Sequence, residues 1–134
     1  MTPHEIVTPP ELAKPVGFSH AVRAAPGRTV YLGGQIAQDA DGVIAGATLP
    51  SQFDHAAANL LTALRAAGGE PEHLVSLQVF VTDVAAYRAA LGELGILWRE
   101  RFGRHFPAMG LFGISELFDP AALIELMGVA VVPE

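Results

Sequence analysis

The stretch Leu123-Ile124-Glu125-Leu126-Met127-Gly128-Val129-Ala130-Val131 is apolar at both alternating sets of positions, with a single carboxylate inside it. Successive side chains of a strand point to opposite faces, so a strand apolar on both sets is buried on both faces. Upstream, Pro107 onward reads as a further strand, and Phe118-Asp119-Pro120 breaks the chain between the two. The sequence therefore predicts a sheet that needs cover on both sides.

The cover on one side comes from two helical patterns. Ser51 reads as an N-cap with Asp54 three residues on; Phe53, Ala56, Ala57, Leu60, Leu61 and Leu64 recur at helical spacing until Gly68-Gly69. Asp83 caps a second helix whose stripe is Val84, Tyr87, Leu91, Leu94 and Trp98, with Gly103 as its stop. Between them Leu74 to Thr82 alternates, Val75, Leu77, Val79 and Val81 against Ser76, Gln78 and Thr82, as a strand. Pro3, Pro9, Pro10 and Pro15 keep the N-terminal segment extended. Ala21-Val22-Arg23-Ala24 and Thr29-Val30-Tyr31-Leu32 flank Ala25-Pro26-Gly27-Arg28 and read as a hairpin. The following Gly33-Gly34 reads as a bulge or a close backbone approach, since no helix opens after it as a phosphate cradle needs. Two such helices cover one face of a five- or six-stranded sheet, and the simplest cover for the other is a further copy of the chain.

With 134 residues, 51% of them hydrophobic and 16% charged, the chain fits one compact domain spanning 1–134. Eight basic against 14 acidic residues leave a net charge of −6, which argues against nucleic-acid partners and against anionic membranes. There is no cysteine, hence no disulfide, thiolate ligand or thiol nucleophile. The N-terminal residues show no signal-peptide pattern, and no apolar run is long enough to span a bilayer, so a cytoplasmic location is expected. The five histidines, at 4, 20, 55, 73 and 105, show no helical ligand spacing, and no metal site is expected.

Glu125 is the residue that local physics singles out, because a carboxylate within a two-sided apolar strand is costly unless paired, hydrogen-bonded or used. A structural reading pairs it with Arg101 or Arg23; a functional reading makes it an acid/base. Met109 and Met127 read as packing residues. Arg99-Glu100-Arg101 and Arg104 read as a solvated helix end favourably placed against the dipole, with use as an anion clamp as the alternative.

The element order β-β-β-α-β-α-β-β resembles the RidA/YjgF family of reactive-intermediate deaminases. So do Gly17-Phe18-Ser19-His20-Ala21, Gly33-Gly34-Gln35-Ile36, Val79-Phe80-Val81-Thr82-Asp83, Phe106-Pro107-Ala108 and Leu123-Ile124-Glu125-Leu126. The resemblance spans nearly the whole chain. It implies an α+β, chorismate-mutase-like fold, a mixed sheet backed by two helices, assembled as a homotrimer with pockets between subunits. It also implies cofactor-free hydrolysis of enamines and imines released by pyridoxal-phosphate enzymes. An arginine there binds the substrate carboxylate, and a glutamate that matches Glu125 positions or activates water.

The family arginine follows the Pro-Ala pair, where this chain has Met109, so small 2-imino acids are expected to be poor substrates. Phe18 stands where the deaminases commonly carry tyrosine, and Gly110-Leu111-Phe112 makes the implied pocket more apolar. The expected site is thus Glu125 as acid/base, with Phe18, Met109, Leu111 and Phe112 shaping the pocket. Ser19, His20, Gly33, Gly34 and Gly110 supply polar or backbone contacts to a small-molecule ligand. The alternative is a trimeric ligand-binding or regulatory protein that keeps the pocket without turnover.

Overall fold

The computed structural model describes residues 1–134. Its strands are β1 (Glu5–Val7), β2 (Ala21–Arg23), β3 (Arg28–Gln35), β4 (Leu74–Val81), β5 (Ala108–Gly113) and β6 (Ile124–Val132). Its helices are α1 (Leu49–Ala66), α2 (Val84–Ala89) and α3 (Leu91–Phe102), with a 3₁₀ turn at Pro71–His73. The main sheet runs β3-β6-β4-β5. Central β6 pairs antiparallel with both neighbours, and β4 pairs parallel with β5. A parallel pair needs a crossover, and α2 and α3 supply it.

The helix-facing set of β6, Ile124, Leu126 and Ala130, is fully buried together with Leu77, Val79 and Val81 of β4. Against it lie Phe53, Ala56, Ala57, Leu60, Leu61 and Leu64 of α1 and Leu94, Trp98 and Phe102 of α3, in one core. Trp98 anchors the end of α3. It stacks on Phe102 with ring centroids 4.1 Å apart, and its indole nitrogen donates to the His105 carbonyl at 3.1 Å.

Four local expectations are corrected. The N-cap of α1 is Thr48, not Ser51. Thr48 Oγ1 accepts from the Ser51 amide at 3.3 Å and Ser51 Oγ accepts from the Thr48 amide at 3.2 Å, a reciprocal box with serine in the third helical position. The second helix is two, broken at Ala90, whose φ of −98° and ψ of 8° depart from the helical pair. Leu91 consequently points outward, 53% exposed, while Leu94, Trp98 and Phe102 carry the stripe. In β4 a register shift between Leu74 and Ser76 moves Val75 off the buried set and puts Leu74 on it.

The hairpin between residues 21–24 and 29–32 does not form. β2 pairs with β1, Ile6 opposite Val22, whereas β3 pairs with β6, Thr29 opposite Val131. The turn residues reverse the chain, but the long apolar β6 offers β3 a far larger partner than three-residue β2. The β1–β2 ribbon is tied instead to the turn before β4. His4 Nδ1 accepts from the Ala25 amide at 3.0 Å, and its Nε2 donates to the His73 carbonyl at 3.1 Å.

A single chain covers one face of the sheet. On the other, Glu125, Met127 and Val129 of β6 are only partly covered and Tyr31 of β3 is 81% exposed. The apolar character that predicted two buried faces is present, and one chain leaves the second face open.

Candidate functional site

Register defines the open face. Glu125 lies opposite Phe80, and Phe80 opposite Phe112, in one row across β6, β4 and β5; the next row is Met127, Gln78 and Gly110. Directly opposed residues share a face. The Phe80 and Phe112 rings stack with centroids 5.6 Å apart at 27°. Phe112 folds back along its own strand, so that a Cβ at Gly110 would stand 2.8 Å from Cζ of the ring.

Glu125 leans the other way, towards β3. The register of β3 against β6 gains one residue between Leu32 and Gln35, so Gly33 and Gly34 form a bulge. A Cβ at Gly34 would overlap the Glu125 carboxylate and lie 2.8 Å from its Cδ. The carboxylate thus rests on bare backbone, at a place that any larger residue would fill.

The electrostatics of this face are simple. Among the residues of β3 to β6 only Arg28 and Glu125 are charged, and Arg28 pairs with Val132 at the far end of β6. The structural reading of Glu125 is corrected here. Arg101 is held by Asp54 through Nε–Oδ1 at 2.7 Å and Nη2–Oδ2 at 3.1 Å, and Arg23 pairs with Glu5 at 3.0 Å. None of the chain's four ion pairs includes Glu125.

The other expected site residues fall in two places. Met109 and Leu111 pair with Leu77 and Val79, which are buried on the helix side; Met109 packs against the core, whereas Leu111 is 37% exposed. One chain therefore does not bring Met109 and Glu125 together. Phe18, Ser19 and His20 run beside the start of β5. Ser19 bridges to Ala108, its amide donates to the Pro107 carbonyl at 3.0 Å, and its buried hydroxyl donates to the Phe106 carbonyl. His20 meets the Phe18 ring edge-to-face at 5.1 Å, and its Nε2 contacts the Ala13 carbonyl at 2.6 Å. Phe80, which joins Glu125 to Phe112, was missed. Its signal was present, as the one aromatic in the otherwise polar set Ser76, Gln78 and Thr82.

Two concavities lie elsewhere. One, of about 300 Å³, is bounded by Gly46, Ser51, Asp54, His55 and Arg101; the other, of about 730 Å³, lies between the N-terminal residues, Arg65 and the segment from Phe102 to Phe106. The Arg101 guanidinium holds the Asp54 carboxyl below the usual carboxylate range, against a smaller opposing effect of burial. Burial pushes the His105 imidazole down, partly offset by the Leu74 carbonyl, which accepts from its Nε2 at 2.7 Å. Nowhere do three His, Asp or Glu side chains converge as metal ligands would.

A mixed sheet backed on one face by helices is a fold that this chain shares with solved structures of one family. The sequence pattern of the family described as endoribonuclease L-PSP matches residues 9–132, and the chain belongs to this YjgF/RidA family. A protein of unknown function of the conserved Rid family, YyfB from Yersinia pestis, is 31% identical over 96% of this chain and 98% of its own, with a TM-score of 0.86. A member of the YjgF/YER057c/UK114 family from Mycobacterium tuberculosis is 27% identical over 87% of this chain and 88% of its own, at 0.66. RidA from an Antarctic Psychrobacter, 20% identical with 96% and 99% covered, shares the fold at 0.69. No curated protein matches the chain.

Proposed function

We propose that this chain is a cofactor-free enzyme that adds or removes water, or shifts a proton, on an enamine, imine or related conjugated carbonyl compound. Its site lies between the subunits of a homotrimer in the cytoplasm, with Glu125 as the acid/base. The observation that carries this reading is the placement of Glu125: the one charged group on an apolar sheet face, unpaired, with its carboxylate seated on Gly34.

An enamine becomes an imine when its carbon takes a proton, and water then adds to the imine carbon. A carboxyl group beside the reacting atoms serves both steps, first giving and then taking a proton. The separation of Met109 from Glu125 within one chain fits a pocket completed by a neighbouring subunit. Family membership and the absence of any helix long and apolar enough to cross a membrane are consistent with this setting. The net charge of −6 disfavours a ribonuclease.

The test is loss of absorbance with a panel of imines and enamines generated in situ, with wild-type protein and Glu125→Gln. Turnover by wild type and at least a hundredfold loss in Glu125→Gln, at unchanged assembly and melting temperature, is the expected result. Ligands that raise the melting temperature without turnover would identify a binding protein instead.

A further inference from the structure

Where Glu125 meets Gly34 the ladder between β3 and β6 is interrupted. Leu32 pairs with Gly128 and Gln35 with Leu126, and neither Gly33 nor Gly34 pairs across the bulge. Glu125 is paired on its β4 side, with Phe80, but has no partner residue on β3. Backbone pairing therefore does not by itself fix how far Gly34 stands from the carboxylate that lies over it.

Two amides of α1 supply restraints on both sides of that gap. Gln52, 2% exposed, donates from Nε2 to the Ala121 carbonyl at 3.0 Å and the Gly46 carbonyl at 3.2 Å, and its Oε1 accepts from the Leu123 amide at 2.8 Å. Leu123 stands two residues before Glu125, at the entry to β6. Asn59 Nδ2 donates to the carbonyls of Ile36 and Gln38, both at 2.9 Å. Ile36 stands two residues after Gly34, just past the end of β3. Seven residues, close to two full turns, separate Gln52 from Asn59, so both project from one side of α1 about 10 Å apart along its axis.

One helix thus holds the chain entering β6 and the chain leaving β3. All five bonds are made inside one chain by residues of the helix layer, so further copies packed on the open sheet face leave them in place. A buried amide with its bonds made satisfies polar groups wherever it sits. What sets these two apart is that their partners bracket Glu125 and Gly34.

Resting on the reading of Glu125 as the acid/base, we propose that Gln52 and Asn59 are positioning residues for it. Acting through Leu123 and Ile36, they set the approach of β6 to β3 and so place the Glu125 carboxylate over Gly34.

The test compares Asn59→Ala and Gln52→Met with Thr48→Ala, which weakens the start of the same helix without touching either set of bonds. In wild type the nuclear magnetic resonance signal of the Gly34 amide should follow the titration of the carboxyl group above it, and Glu125→Gln should remove that response. Asn59→Ala and Gln52→Met should shrink its amplitude about twofold or more, because the effect of a charge falls with distance, and Thr48→Ala should leave it unchanged. In the turnover assay each positioning variant should lower kcat about tenfold at unchanged KM. In a Gly34→Ala background, where the seat is already filled, Asn59→Ala should cost no more than about twofold further.

Wild-type amplitude and wild-type kcat in Asn59→Ala would overturn the positioning role and leave Glu125 standing as the site. Equal losses in Thr48→Ala, or full additivity with Gly34→Ala, would overturn it too, reducing the two amides to supports of the fold. If no compound is turned over, or Glu125→Gln works at the wild-type rate, the reading of the site fails, while the Gly34 signal still decides the positioning by itself. Should Gln52→Met not fold, Asn59→Ala, at a half-buried position, carries the comparison.

Discussion

Gly34 and Glu125 are coupled by space alone. The backbone of Gly34 is not in the left-handed region, so alanine is tolerated by the main chain, but its methyl group occupies the place of the Glu125 carboxylate. Gly34→Ala should therefore move the carboxylate while leaving the melting temperature nearly unchanged. Turnover of an identified substrate should fall on the order of a hundredfold, the cost of displacing a reacting group by about 1 Å. Retained rate in Gly34→Ala would show that the carboxylate works from elsewhere. His105 yields a second residue-scale prediction. Its folded-state pKa lies below 6.5, chiefly through burial, so the unfolded chain binds the proton more readily. The stability contributed by neutral His105 is fully present above pH 6.5 and is lost as pH falls towards the lower folded value. Urea midpoints measured downward from pH 7 should decline, and His105→Gln should decline less steeply.

At the scale of elements, α1 owes its start to the reciprocal Thr48–Ser51 bonds. Thr48→Ala leaves the Ser51 amide without its side-chain acceptor and should cost about 1 kcal/mol in urea unfolding. The Asp54–Arg101 pair joins α1 to α3, but both side chains remain about one-third exposed, 33% and 37%. Solvent screening limits Arg101→Ala to about 0.5–1 kcal/mol, including lost packing of its stem. Since Arg101 lowers the Asp54 pKa from 3.8, that contribution is present above pH 3.8 and disappears as the solution is acidified through the lower folded value. The elements also show where local reading ends. The apolar period of α1 and the alternation of β4 are legible because they repeat within a turn or two of chain. β1, three residues among prolines, carries no period at all.

For the whole molecule, the open face bearing Tyr31, Met127, Val129, Phe80 and Phe112 is too apolar to suit water on a chain otherwise charged at its surface. Family membership and this face together lead us to expect a homotrimer in light scattering at micromolar concentration. Val129→Asp places a charge at the centre of the face, opposite Ser76 and away from the helix-side core, and should release monomers that retain their helical circular dichroism. A wild-type monomer would leave the proposed intersubunit pocket without its second wall.

By itself the sequence determined α1, β4, the break before β6, the bulge at Gly33-Gly34 and the anomaly of Glu125, because each is written in spacing, turn residues or one charge in an apolar run. Resemblance along the chain carried the rest of the fold. Tertiary structure alone decided which partner β3 takes, since pairing with β6 joins segments about a hundred residues apart and overrides a plausible local turn. It also decided faces. Alternation separates Met109 and Leu111 from Gly110 and Phe112, but only the pairing with Leu77 and Val79 turns the first pair to the helix side, where Met109 packs on the core and Leu111 stays partly exposed, and sets Phe112 in the row of Phe80 and Glu125. Periodicity is a property of neighbours in the chain, whereas the choice of face depends on which strands meet and where the helices cross over them.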